Sequence, residues 1–134
     1  MATLPSRAIT IRIEAPYDAA YGALSDPAAW PQWAAGLGAG LTRTGAGVWT
    51  VNTVAGEPAQ VRFSEINAFG VLDHTVILPS GDEVRAPMRL IRNGDGCEVI
   101  FTLLRLPTMD DETFAADGAM VERDLAALKA LLER

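Results

Sequence analysis

The stretch from Asp110 to Arg134 constrains this chain more than any other, because it reads as one long amphipathic helix. Phe114, Gly118, Val121, Leu125, Leu128 and Leu132 recur at alternating spacings of four and three, which places them on one stripe. Glu112, Glu122, Arg123, Lys129 and Glu133 fall largely off it. At 1.5 Å per residue the helix is about 37 Å long, enough to cross a small sheet from edge to edge. Such a stripe is stable only against a partner surface, so the upstream chain has to supply a sheet.

The upstream residues have the patterns for one. Ile9, Ile11 and Ile13 alternate with Thr10, Arg12 and Glu14, the period of a half-buried strand, and Pro16 stops it. Tyr17, Ala20, Tyr21 and Leu24 follow at helical spacing. Ser25-Asp26-Pro27 ends that helix and starts a second, with Asp26 as N-cap, Pro27 at the first position and Trp30 and Trp33 on neighbouring turns. A glycine-rich stretch follows, with Leu41 to Arg43 as a short strand. After it come β-rich runs at Gly47 to Thr53, Ala59 to Ile66, Val71 to Leu78, Glu83 to Arg92 and Cys97 to Leu106. The connections Gly56-Glu57-Pro58, Asn67 to Gly70, Pro79 to Asp82 and Asn93 to Gly96 are too short for anything but antiparallel hairpins. Pro107 closes the last strand, and Thr108 or Asp110 caps the long helix. The expected fold is α+β: strand, two short helices, about six more strands and a long C-terminal helix, with a curved antiparallel sheet of about seven strands gripping that helix.

A chain of 134 residues suits one domain spanning residues 1–134. With 49% hydrophobic and 21% charged residues it is globular in composition, not disordered. The net charge of −6 disfavours nucleic acid and anionic membrane surfaces as partners. No run has the length of a membrane span and the N-terminus has no signal-type apolar core, so a cytoplasmic protein without stable membrane association is expected, as a monomer or homodimer. A lone Cys97 and a lone His74 supply no metal set, and Cys97 reads as a small buried or half-buried hydrophobe. Gly36-Leu37-Gly38-Ala39-Gly40 has neither the strand-to-helix context of a dinucleotide loop nor the Lys-Ser/Thr of a phosphate loop. No cofactor is implied.

Several residues resemble those of the SRPBCC superfamily, the helix-grip group that includes START-type lipid-transfer domains, polyketide cyclase and dehydrase-like proteins and the birch-pollen-allergen type. They are the opening Ile9-Thr10-Ile11-Arg12-Ile13-Glu14-Ala15-Pro16, the segment from Leu24-Ser25-Asp26-Pro27 through Trp30-Pro31-Gln32-Trp33, the strand start Gly94 to Phe101, and Asp124-Leu125-Ala126-Ala127-Leu128-Lys129. The resemblance implies a deep, mostly apolar cavity between sheet and long helix, with the two short helices at one end and Trp33 turned inward. The helix itself supports a void beneath its first half, where Ala115, Ala116, Gly118 and Ala119 supply little bulk beside Phe114 and Met120. The alternative is that these small residues let the helix pack close to the sheet.

His74 is the sole side chain whose unperturbed pKa lies near neutrality. Asp73 adjoins it, but neighbours on a strand face opposite ways, so Asp73 cannot orient His74 without a bulge. A four-residue connection at Asn67 to Gly70 pairs Phe63 with His74 and Val61 with Val76, putting His74 on the apolar face. An even loop at Pro79 to Asp82 instead aligns Val84, Ala86, Met88 and Leu90 with Asp73, Thr75 and Ile77, which puts Asp73 inside. The two registers conflict unless a bulge or an odd loop intervenes; the pattern leans to His74. The candidate ligand-binding set is Trp33, Trp49, Phe63, His74, Met88, Phe101, Phe114, Gly118 and Val121, with plain core packing as the competing reading. His74, or Asp73 if the register is reversed, is the candidate catalytic group. Arg62, Arg85 and Arg89 with Glu65, Asp82 and Glu83 read as a solvated outer face.

The leading expectation is binding of a small hydrophobic or amphipathic molecule, such as a lipid, polyketide or aromatic metabolite, under the long helix. The alternatives are a cyclase or dehydratase-type enzyme using His74 as general acid or base, and a protein-interaction module of the same fold, which requires an exposed apolar patch.

Overall fold

The computed structural model describes residues 2–35, 40–51 and 58–134. Along β1 (Ser6–Ile13) the alternation buries Ile9 and Ile13 and leaves Thr10 and Arg12 exposed. Helix α1 (Tyr17–Leu24) buries Ala20 and Leu24. The Asp26 carboxylate then accepts the Ala28 N–H at 3.1 Å and opens a 3-10 helix over Pro27–Gln32. Six strands come next: β2 (Leu41–Gly45), β3 (Val48–Val51), β4 (Ala59–Phe63), β5 (His74–Ile77), β6 (Glu83–Ala86) and β7 (Met88–Asn93). β8 (Gly96–Leu104) and α2 (Asp111–Leu132) complete the chain. Residues 36–39 of the glycine-rich stretch, residues 52–53 of the expected Gly47 to Thr53 run and Gly56-Glu57 of the expected Gly56-Glu57-Pro58 turn lie outside the described residues.

All strand pairs are antiparallel, in the orders β1-β8-β7 and β2-β3-β4-β5-β6. The run expected from Glu83 to Arg92 is broken at Pro87, which has no N–H to give a ladder, so it forms β6 and β7. Beyond the break, Leu72 N–H donates to the Met88 carbonyl and Leu90 N–H to the Gly70 carbonyl, both at 2.9 Å. β7 therefore has β8 on one edge and residues 70–72 on the other, which joins the two strand groups into one curved surface. Gly70 sits at that crossing with φ +68, and a Cβ there would lie 2.1 Å from the Leu90 carbonyl oxygen, so only glycine lets the loop approach.

Helix α2 starts where Asp110 accepts the Thr113 N–H at 2.7 Å, and Asp111 and Glu112 occupy the first turn, where the helix dipole favours negative charge. It is tied to β1 at both ends of the contact: Arg7 pairs with Glu122, while Lys129 Nζ donates to the Arg12 carbonyl at 2.9 Å. Glu133 adds a third tie by accepting the Glu14 N–H at 2.8 Å. Leu125 and Leu128 enter a core with Ile9, Ile13, Met88, Leu90 and Val99, so the C-terminal part of the stripe grips the sheet. Ala115, Ala116 and Ala119 face solvent, which explains their small size without a void beneath them.

Candidate functional site

Between the curved sheet and the middle of α2 lies a cavity of about 260 Å³. Val61 and Phe63 of β4, His74 and Val76 of β5, Met88 and Phe101 form its sheet wall. Trp30, Trp33 and Ala34 close one end. Residues three apart lie on one side of a 3-10 helix, so both tryptophans turn inward, at 4% and 7% exposure, with ring centroids 4.9 Å apart. The roof is Met120, Val121, Asp124 and Leu125, one strip of α2. Met120 is exposed and Asp124 half-buried, so the cavity meets solvent along their side.

The position of His74 follows from the loop before β6. Gly81 adopts φ +92, Gly81 N–H donates to the Leu78 carbonyl, and Leu78 N–H donates to the Asp82 carbonyl, both at 2.9 Å. Pro79, Ser80 and Gly81 thus form an odd, three-residue loop, and His74 pairs with Ala86 as well as with Phe63. Both apolar rows now share one face, which removes the conflict between the two expected registers. His74 packs edge-on to Trp30 at 4.9 Å between centroids and lies 5.9 Å from Phe63 and 6.1 Å from Phe101. Its Nδ1 lies 3.1 Å from the Leu72 carbonyl, an acceptor only, so Nδ1 carries the proton and Nε2 is left as an acceptor in the neutral ring. Burial pushes the imidazole pKa below its ordinary value, outweighing the opposing effects of the Leu72 carbonyl and Asp73.

Asp73 points the other way. Its carboxylate accepts the Met88 N–H at 2.8 Å and pairs with Arg89, replacing the ladder bonds lost at Pro87. It neither enters the cavity nor touches His74. The outer face also carries the Arg62–Glu83 pair at 3.5 Å.

Of the sequence-derived ligand set, the fold brings Trp33, Phe63, His74, Met88, Phe101 and Val121 to the cavity. It places three elsewhere. Trp49 lines a separate open groove with Arg43, Arg62 and Pro27. Phe114 lies under the Arg105 guanidinium, 5.9 Å from its ring centroid. Gly118 is buried beneath Arg7, whose guanidinium would meet a Cβ there as it reaches for Glu122, so the missing side chain makes room for an ion pair and not for a ligand. The cavity consequently sits under residues 120–125, further along the helix than Phe114 to Val121.

Seven lining residues were not in that set: Trp30, Ala34, Val61, Val76, Met120, Asp124 and Leu125. Three-residue spacing pointed to Trp30, the face shared with Phe63 and His74 to Val61 and Val76, and positions flanking Val121 to the residues of the helix. Asp124 Oδ1 accepts the Ala35 N–H at 3.2 Å, and partial burial raises its carboxyl pKa against the lowering effects of that bond and of Arg123. The Trp33 Nε1–H is buried without a hydrogen-bond partner among the described residues. The described residues offer no group of three or more metal-ligating side chains, and none of their helices is long and apolar enough to cross a membrane.

No family model and no curated protein matches the sequence. Solved structures do match the fold. The chain is similar to an uncharacterised protein from Bacillus thuringiensis at TM-score 0.76 and 12% identity, covering 96% of this chain and 98% of that one. It is similar to the Aha1 dimer from Colwellia psychrerythraea at TM-score 0.75 and 18% identity, with 97% of each chain covered. Ara h 8.0201 matches at TM-score 0.67 and 13% identity, over 96% of this chain and 97% of that one. The protein has a helix-grip fold: an α+β domain whose curved antiparallel sheet holds a long C-terminal helix.

Proposed function

We propose that this chain is a helix-grip protein of SRPBCC type that binds a small hydrophobic or amphipathic molecule in the cavity under α2. The observation that carries the reading is an apolar void walled by Trp30, Trp33, Phe63 and Phe101, with His74 and Asp124 as the ionisable groups among its lining residues. An apolar cavity of about 150 Å³ holds benzene, so 260 Å³ suits about ten non-hydrogen atoms, one or two fused rings. Among the expected classes this favours an aromatic metabolite over a lipid.

A thermal-shift screen of mono- and bicyclic aromatics beside long-chain fatty acids tests the reading. A ligand at a hundred times its Kd stabilises by about 2.7 kcal/mol, a rise of several degrees in Tm. A screen in which no aromatic raises Tm would sink it.

A second reading, catalysis of cyclase or dehydratase type, is favoured by the state of His74. Its Nδ1–H is anchored and the ring is neutral, which leaves Nε2 as a base toward anything in the cavity. It requires His74→Ala to abolish turnover while binding survives. The interaction-module reading ranks third; its support is Ile66 and Phe69, exposed on the loop between β4 and β5.

A further inference from the structure

The cavity has a charge preference as well as a size. Its ionisable walls are His74, held neutral among aromatic rings, and Asp124, and there is no Lys or Arg among its lining residues. The residues outside the described segments are also free of Lys and Arg, so they add no cationic side chain. Arg62 and Arg89 are committed to Glu83 and Asp73 on the outer face, and Arg123, whose charge is felt at Asp124, is exposed and does not line the cavity. An anionic ligand would therefore enter an apolar space with no cationic lining residue and a carboxylate at its open side, and burying an unpaired charge is the costliest option available to it.

Asp124 has the opposite consequence for a cation. One of its oxygens accepts the Ala35 N–H, and the other accepts no hydrogen bond among the described residues. The side chain stands on α2 one residue before Leu125 and four after Met120, where the apolar interior gives way to solvent. Resting on the ligand-binding reading above, we propose that the cavity takes a small hydrophobic amine, its ring body between Trp30, Trp33, Phe63 and Phe101 and its ammonium group on the free oxygen of Asp124. Burial raises the carboxyl pKa of Asp124, and a cation at that oxygen would offset this cost. The aromatic walls add favourable ring faces for the cationic end as it enters.

Three probes that share a naphthalene body of ten carbons and differ in their polar group separate charge from shape: 1-naphthylmethylamine, 1-naphthalenemethanol and 1-naphthoic acid. Isothermal titration of the full chain at neutral pH is expected to rank them amine, alcohol, acid, with the amine about tenfold or more tighter than the alcohol. Asp124→Asn preserves an acceptor for Ala35 N–H, and should reduce the amine to the alcohol's affinity while leaving the alcohol unchanged. Added salt should weaken the amine alone. An alcohol that binds as tightly as the amine, or an amine indifferent to Asp124→Asn, overturns the charge assignment and leaves the cavity reading standing. Absence of binding by both amine and alcohol overturns both.

Discussion

Val76→Phe asks of the molecule whether the space under α2 is a void or a packed core. Val76 stands on β5 two residues after His74, on the same face, and lines the cavity. The change adds roughly 50 Å³ of side chain, about a fifth of the 260 Å³ available, at a strand position where an aromatic residue suits the backbone. Filling empty volume contributes about 24 cal/mol per Å³, so the expected gain is about 1 kcal/mol, or a rise of roughly 3–5 °C in Tm for a domain of this size. In a packed core the same ring would force side chains off their rotamers and cost about 1–3 kcal/mol. The sign therefore decides. Urea unfolding followed by tryptophan fluorescence measures it, provided the slope with denaturant matches the parent protein. The variant should also lose affinity for any cavity ligand. A loss of stability would refute the argument, since it would mean that the ring has to displace packed side chains.

Two further outcomes concern the residues around the strand break. Asp73→Ala orphans the N–H of Met88, a residue 1% exposed, and should cost about 1–3 kcal/mol, with Asp73→Asn recovering most of it; a change under about 0.5 kcal/mol in chemical denaturation would contradict the assignment. His74 is neutral in the folded protein at a pH where the unfolded chain would take up a proton, so the unfolded state binds more protons and stability falls as pH drops below the ordinary histidine value near 6.5. The slope is at most about 1.4 kcal/mol per pH unit, and the loss continues only until the folded ring itself titrates. Unfolding free energies at pH 7.5, 6.5 and 5.5 should show this decline in the parent and not in His74→Gln, and parallel curves would exclude a buried neutral ring. Asp110 and Glu133, whose carboxyl groups are pulled below the usual range by hydrogen bonds from Thr113 and Lys129, contribute stability that is lost only in more acid solution.

How far the sequence could be read depended on the range of the interactions involved. The stripe along α2 and the N-cap at Asp26 come from spacing and local chemistry and are present in the structure as read, while of the alternatives left open the structure has Asp110 and not Thr108 as the cap of α2, and Phe63 paired with His74. The division of the Glu83 to Arg92 run was visible in principle, because a proline inside a strand cannot donate to its neighbour. Gly118 was not legible in the same way. A glycine records that a side chain does not fit, and only the fold shows that Arg7, from the far end of the chain, is what occupies the space. Phe114 and Trp49 have the composition of a pocket wall but lie beside Arg105 and in an outer groove.

By itself, then, the sequence determined the α+β order of elements, the helix that needs a sheet and the alternation that separates His74 from Asp73, since each depends on backbone periodicity over a few residues. Which of those two residues faces inward was decided by tertiary structure, through a three-residue loop ending in Gly81 and a carboxylate drawn outward to the Met88 N–H and Arg89. Tertiary structure alone also placed the cavity under Met120 to Leu125 and put Asp124 at its open side. Periodicity along a helix specifies an inward face, but the depth at which the opposing wall stands depends on segments distant in sequence, and only their packing leaves the space open.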